Sequence, residues 1–274
     1  MPYQNVEPPV QLQESVKCFW FAERELLPPD PTFKIWPDSY IELVFCYADQ
    51  PIYYLRGQRE EMLPRLFILG LLNEPFILKS RGWIRSIGIR FFAWGFNDLI
   101  QLPPHEPLLE VESRFDALQR NLSDLASNPD PDHLMRTLQT FLLEQQDQAI
   151  ASRKDDRITQ VAKQIYLDRG TSRVTSMAKN IHLSERQFNR LFARQLGLSP
   201  KSLAKKVRFQ YVRDAIYENP EINLTSLAYE FEYNDQSHLI KDFREFAGKT
   251  PSAFAKEMKQ LKESLTTYNV RFLQ

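Results

Sequence analysis

Apolar and polar positions divide the chain into two regimes. Up to about residue 92 the apolar residues come in short runs rich in aromatic and β-branched side chains, broken by Pro-Asp, Asp-Gln-Pro, Asn-Glu-Pro and Arg-Gly. The runs at 16–21, 33–36, 40–47, 52–55, 65–71, 76–79 and 83–92 predict β-strands. In 40–47, Ile41, Leu43, Phe45 and Tyr47 alternate with Tyr40, Glu42, Val44 and Cys46, a period of two that separates two faces. Strands this short and this closely spaced predict a sandwich or small barrel.

After Phe92 the period lengthens. Ala93–Ile100 reads as a helical turn, followed by a Pro-rich loop over 102–107 that contains His105. Residues 115–126 and 131–148 read as amphipathic helices joined across Ser127-Asn128-Pro129-Asp130. The stripe Leu134, Leu138, Phe141 and Leu142 suits either core packing or the seam of a homodimer. The polar run 145–156 predicts a linker, and everything beyond it reads helical. The expected organisation is a β-rich domain over 1–115, a two-helix connector over 116–148, a linker over 149–156 and an all-α unit over 157–274. The fold class is therefore α+β, a small β-barrel or sandwich with flanking helices followed by a helical domain.

The helical part contains a repeat. Val174-Thr-Ser-Met-Ala178 recurs fifty positions later as Leu224-Thr-Ser-Leu-Ala228. Phe188, Phe192, Gly197, Pro200 and Leu203-Ala204-Lys205 recur fifty-one positions later as Leu239, Phe243, Gly248, Pro251 and Phe254-Ala255-Lys256. The change of offset puts one extra residue in the second copy's turn. Each copy has the anatomy of a helix-turn-helix, over 174–196 and 224–247. Ser184 with Gln187 has capping-box spacing, Gly197 and Gly248 suit left-handed helix ends, and Pro200 and Pro251 suit first helical turns. Residues 200–217 form the connecting helix, which stops before Asn219-Pro220.

The second helices divide their side chains sharply. In 184–196, Phe188, Leu191, Phe192 and Leu196 form an apolar stripe, and the remaining face carries Glu185, Arg186, Gln187, Asn189, Arg190 and Arg194. Arg, Gln and Asn can form bidentate bonds to guanine and adenine edges in the major groove; the plainer use of such a face is solvation. Charge favours the first reading. The chain has 35 basic and 35 acidic residues, yet residues 1–152 hold 13 basic and 21 acidic, and 153–262 hold 21 basic and 13 acidic. The neutral total conceals an acidic half and a basic half, which could dock on one another and mask the DNA-binding surface.

Residues 157–256 resemble the AraC/XylS family of bacterial transcription regulators, through Asp235-Gln236-Ser237-His238-Leu239 followed by Phe243, Gly248, Thr250-Pro251 and Phe254. The resemblance implies a seven-helix domain whose two recognition helices enter successive major grooves on one face of double-stranded promoter DNA. By position, the base-reading candidates are Arg186, Gln187, Asn189 and Arg190 in the first helix, and Gln236, Ser237, His238 and Lys241 in the second. Candidates for the DNA backbone are Arg194, Lys201, Lys205, Arg208, Lys249 and Thr250; a solvated surface is the alternative for those in the connecting helix. Asp235, Asp242 and Glu245 would repel phosphates if they faced DNA. Glu232 stands where the family usually has glycine, so the second turn is expected to be strained or differently shaped. The expected protein is a cytoplasmic activator with RNA polymerase as partner.

The first 115 residues are similar in architecture to the sensory domains that precede such units, with Trp83 through Gly95 resembling a last strand and the turn after it. The resemblance implies a β-barrel that binds a small-molecule effector. Trp20, Trp36, Tyr40, Glu42, Tyr53, Trp83 and Arg85 are the candidates to line its pocket, against an ordinary core role for each aromatic. Glu42 in an apolar strand needs a partner if it is buried. The rival is a domain that binds only protein partners.

Cys18 and Cys46 are too few and too far apart for a zinc site or disulfide framework and read as reduced core residues. No Gly-rich phosphate loop, HExxH or CxxC occurs, and His105, His133, His182 and His238 stand in no nucleophilic constellation; neither catalysis nor a cofactor is expected. No secretory leader or membrane-spanning run is read.

Overall fold

The computed structural model describes residues 3–57, 59–102, 108–111, 115–126, 130–149 and 156–267. Among the described residues ten strands build the N-terminal part: β1 (Tyr3–Val6), β2 (Val16–Leu26), β3 (Thr32–Ile35), β4 (Ile41–Ala48), β5 (Tyr53–Arg56), β6 (Arg59–Met62), β7 (Leu66–Leu69), β8 (Phe76–Lys79), β9 (Gly82–Phe91) and β10 (Leu108–Glu110). They form a six-stranded sheet in the order β1-β2-β9-β4-β7-β10 and a four-stranded sheet in the order β3-β8-β5-β6, with antiparallel pairing throughout. The result is a sandwich; the barrel is not closed.

The alternation in β4 separates two apolar faces, because the larger sheet is covered on both sides. Val44 and Cys46 join Trp20, Phe67, Phe76 and Leu78 in the core against the smaller sheet. Ile41, Leu43 and Phe45 join Phe19, Ile87, Ile89 and Phe91 in a core that continues into the helices. Strands β4 and β7 therefore read almost continuously apolar, as expected of strands buried on both faces. The two cysteines lie in the sandwich core, with Cys18 opposite Arg90 and Cys46 opposite Ser86 on β9. β2 and β4 flank β9, a separation of about 9–10 Å that exceeds disulfide reach.

Among the described residues three helices follow: α1 (Ala93–Ile100), α2 (Asp116–Leu125) and α3 (Pro131–Ala149). The stripe Leu134, Leu138 and Leu142 is fully buried and Phe141 packs against Phe115, so the stripe faces the core in this chain. Helix α3 continues through part of the expected linker. The rest of that linker, most of the 102–107 loop and Ser127, Asn128 and Pro129 lie outside the described residues.

Among the described residues seven helices follow: α4 (Asp156–Leu167), α5 (Val174–Asn180), α6 (Glu185–Leu196), α7 (Pro200–Glu218), α8 (Leu224–Glu230), α9 (Gln236–Ala247) and α10 (Pro251–Thr267). Helix α7 is the shared strut. Leu203, Ala204 and Val207 near its start belong to the core that holds Phe188, Phe192 and Leu196 of α6. Phe209, Val212 and Ile216 further along belong to the core of the second unit, with Leu239 and Phe243 of α9.

The two parts of the chain form a common core rather than meeting as oppositely charged bodies. One cluster runs from Phe19 and Phe91 in the sheet through Trp94 and Phe96 of α1 to Phe188 and Phe192 of α6. Of the ion pairs that cross, Lys163–Glu14 follows the overall polarity and Lys34–Glu257, at 3.8 Å, reverses it. Apolar packing and hydrogen bonds to neutral acceptors carry most of the described contact.

Candidate nucleic-acid interface

The two turns are built alike. In the first, Leu183 N–H donates to Ala178 O at 3.1 Å and His182 N–H to Lys179 O at 3.1 Å. In the second, Tyr233 N–H donates to Ala228 O at 2.9 Å and Glu232 N–H to Tyr229 O at 3.2 Å. Both are Schellman closures, which place one residue in the left-handed region. That residue is His182 at φ 55° in the first turn and Glu232 at φ 52° in the second. The strain expected at Glu232 is present, and His182 shares it. A left-handed non-glycine residue costs about 1–2 kcal/mol, and glycine returns about 0.5–1 kcal/mol of that as lost chain entropy. Glu232→Gly should therefore stabilise the protein by up to about 1 kcal/mol, read as a higher urea midpoint at unchanged slope.

The recognition helices are capped from the sequence. Ser184 Oγ accepts from Gln187 N at 3.3 Å and Gln187 Oε1 accepts from Ser184 N at 3.1 Å, a complete capping box. Gln187 thus spends its carbonyl oxygen on the cap and keeps its amide nitrogen for a ligand. Asn189 Nδ2 donates to Glu185 O at 2.8 Å, back along its own helix. Arg186, Arg190 and Arg194 are exposed.

On the second helix the acidic residues are accounted for internally. Asp235 caps α9, its Oδ1 accepting from His238 N at 2.8 Å. Asp242 is buried and lies 3.1 Å from Lys205 Nζ, and Lys205 also reaches Glu245 at 2.7 Å. These carboxylates do not stand unpaired toward a phosphate. The pairing redefines two other expectations. Lys205 ties α7 to α9, and Arg208 donates to Gly170 O through Nε at 3.2 Å and Nη2 at 2.8 Å while lying over Tyr233. Both cations have intramolecular partners where phosphate contacts were expected.

His238 is half-buried. Its ring meets Tyr233 edge-on, its Nε2 lies 3.8 Å from Asp242 Oδ2 and its Nδ1 is buried without a hydrogen-bond partner. Gln236, Ser237 and Lys241 remain exposed, with Gln236 Oε1 accepting from Thr225 Oγ1 at 3.2 Å. Lys249 pairs with Glu257 and lies 5.4 Å from the Trp36 ring, Thr250 Oγ1 caps α10 by accepting from Ala253 N at 3.2 Å, and Lys201 is exposed.

This duplicated, capped geometry coincides with a family match: residues 177–257 match the family described as a helix-turn-helix domain. The C-terminal region is an AraC-type DNA-binding domain. The chain is accordingly a DNA-binding transcription regulator. Residues 4–108, ahead of the AraC-type domain, match a domain of unknown function (DUF6597).

Among solved structures, ToxT from Vibrio cholerae is 12% identical over 93% of this chain and 98% of its own, with a TM-score of 0.49. The C-terminal domain of AraT, a response regulator from Geobacillus stearothermophilus, is 18% identical over 39% of this chain and 88% of its own, with a TM-score of 0.36. A probable AraC family transcriptional regulator from Rhodopseudomonas palustris is 22% identical over 38% of this chain and 98% of its own, with a TM-score of 0.34. No curated protein matches the chain.

The seven residues expected to line an effector pocket do not converge. Trp20 is packed over Gly88, where a Cβ would come within 2.6 Å of its ring. Tyr53 and Trp83 are exposed, and Arg85 pairs with Glu23 at 2.7 Å. Glu42 is buried, and Arg90 Nε and Nη2 reach its Oε1 at 2.6 and 2.5 Å. Burial pushes the Glu42 carboxyl above the usual carboxylate range, while Arg90 pulls the other way. Tyr40 packs against Phe92 and Tyr166 at the seam between the two parts of the chain. Trp36 packs against Phe254 of α10.

Two described cavities, of about 380 Å³ beside Ile216, Ile222 and Lys256 and of about 470 Å³ beside Leu118, Arg136 and Phe141, touch none of the seven. Alternation shows which strand residues share a face, but not that two stacked sheets fill the space between them.

Sequence reasoning missed the seam itself. Ser39 N and Oγ donate to Gln210 Oε1 at 3.1 and 2.6 Å, and Arg213 Nη1 donates to Pro37 O at 2.6 Å. Lys206 Nζ donates to Leu72 O at 2.6 Å and Asn73 Oδ1 at 2.7 Å. A usable signal was present, since 200–217 has no clean polar side: a helix apolar around much of its circumference is buried on more than one face.

Proposed function

We propose that the regulator reads two successive major grooves on one face of promoter DNA, with α6 in one and α9 in the next. Arg186 and Arg190 are the principal base readers of the first groove, assisted by the free amide end of Gln187. Gln236, Ser237 and Lys241 read the second, and Arg194 and Lys201 reach the backbone. Lys205, Arg208 and His238 serve the domain's own packing. The observation that supports this reading is the twofold occurrence of one device, a Schellman turn leading into a side-chain-capped helix with an exposed polar face. Helix α7, at 19 residues, spans about 28 Å, comparable with the roughly 34 Å between successive grooves.

Arg190→Ala should weaken binding to a specific site by about 1–3 kcal/mol and relax base choice at one position. Binding curves at matched salt on the specific duplex and its single-base variants measure both effects. Unchanged specific affinity would remove α6 from the groove.

The finer reading is of a cytoplasmic activator that engages RNA polymerase and whose N-terminal half senses a small molecule. Support for sensing comes from the seam. Lys206 is buried, its hydrogen-bond acceptors there are neutral, and burial lowers its pKa to about 8. An anionic effector would complete that charge. A thermal-shift screen of anionic metabolites on the full chain tests this, and a panel without effect favours a domain that binds only protein partners.

A further inference from the structure

Two units that share one helix are held at a set distance, and their mutual angle rests on how each packs along it. The two helix-turn-helix units share α7 as their strut, the first using its N-terminal part and the second its C-terminal part. A third body that touches both units and the strut braces that angle. The N-terminal half is such a body. Its α1 packs on α4 and α6 of the first unit. Its residues 37–39 bond α7 through Pro37 O and Ser39, to Arg213 and Gln210, and Ser39 O accepts from Tyr166 of α4. Its Trp36 reaches the second unit, with ring centroids 5.1 Å apart in an edge-on contact with Phe254 and Lys249 Nζ 5.4 Å from the Trp36 ring. Phe254 in turn packs on Phe243 of α9 at 5.4 Å. One short segment therefore joins the first unit, the strut and the buried side of the second recognition helix.

We propose that residues 36–39, between β3 and β4, are a positioning element for DNA recognition, with Trp36 fixing the angular relation of α9 to α6 and so the spacing at which two blocks of bases are read. The inference rests on both helices reading DNA. Trp36 touches no DNA in this scheme; it acts through Phe254. Losing its ring leaves each recognition helix intact and removes an outside brace on the second unit, which widens the range of angles between the two units, so the regulator becomes tolerant of spacing rather than blind to sequence.

The test uses the full chain. A two-block site is selected from random duplex DNA with the wild-type protein, then rebuilt with one base pair inserted or deleted between the blocks, and also as single blocks. Each altered spacing should cost the wild type about tenfold or more in affinity, comparable with one mismatched base pair. Trp36→Ala should lose no more than about threefold at the altered spacings, about 0.65 kcal/mol at 1.4 kcal/mol per decade, with single-block affinity unchanged. Trp36→Phe should restore the discrimination. Ser39→Ala, which removes one bond to α7 and leaves the Trp36 ring in place, should give an intermediate profile and carries the test if Trp36→Ala does not fold. A wild-type spacing profile in folded Trp36→Ala or, failing that, in Ser39→Ala would overturn the inference. If the wild type selects no two-block site, the DNA reading fails and the inference falls with it.

Discussion

Arg90→Met should lower the stability of the chain by about 3–5 kcal/mol, the cost of leaving a buried carboxylate without its counter-ion. Glu42 lies in the sandwich core row between Cys18 and Leu69, and the Arg90 guanidinium places two nitrogens on its Oε1. Asp38, 3.8 Å from Arg90 Nη2, is the next carboxylate. The loss should depend on pH. Burial already raises the Glu42 carboxyl in the folded state, and removing Arg90 raises it further, so the folded variant binds a proton that the unfolded chain does not. Stability of the variant must then fall as pH rises from the unfolded pKa, about 4.3, through the raised folded one. Urea unfolding at pH 5 and pH 8 should show the smaller loss at pH 5. An equal loss at both would mean that packing, not charge, accounts for the effect.

Gly170→Ala should cost about 3 kcal/mol, through two separate penalties. Gly170 closes α4 at φ 74°, in the left-handed region, where a side chain costs about 1–2 kcal/mol. An added Cβ would also lie 2.2 Å from Ala204 O and 2.8 Å from Arg208 N on α7, both backbone atoms that cannot swing aside. Overpacking of that kind costs about 1–3 kcal/mol. The shift that relieves it would also disturb Gly170 O, the acceptor of Arg208. Thermal unfolding should show a fall in Tm several times that of an exposed Gly→Ala control. A fall no larger than the control would mean that α4 and α7 are not packed this closely.

The helical part was legible because its boundaries are written in side chains that bond to nearby backbone. Ser184 with Gln187, Asp235, Gly197 and Gly248 act within a few residues of themselves, so their spacing alone places the helix ends. Glu232 was legible for the same reason, its conformation being fixed by the turn around it. The strand β4 was legible in period but not in surroundings. Alternation distinguishes two faces, yet both faces of the larger sheet are covered, so the side of β4 that carries Glu42 is as dry as the other.

Strands β1 and β6 had no apolar run to announce them and β10 is only three residues long; all three are edge strands, short or charged as edges are. Lys205 and Arg208 look like free cations in sequence because their partners, Asp242, Glu245 and Gly170, are distant along the chain. Trp36 reads as a pocket aromatic for the same reason, its partner Phe254 being more than two hundred residues away. The opposed charges of the two halves mark separate duties more than mutual attraction, since neutral acceptors and apolar side chains supply most of the described contact between them.

The most direct measurement of the central claim is a hydroxyl-radical footprint of the full chain on a duplex selected by the wild-type protein. Two recognition helices on one strut should protect two patches on one face of the DNA, centred one helical turn or about 10–10.5 base pairs apart. Arg190→Ala should weaken only the first patch and Gln236→Ala only the second. A single protected patch, or two patches on opposite faces of the duplex, would contradict it.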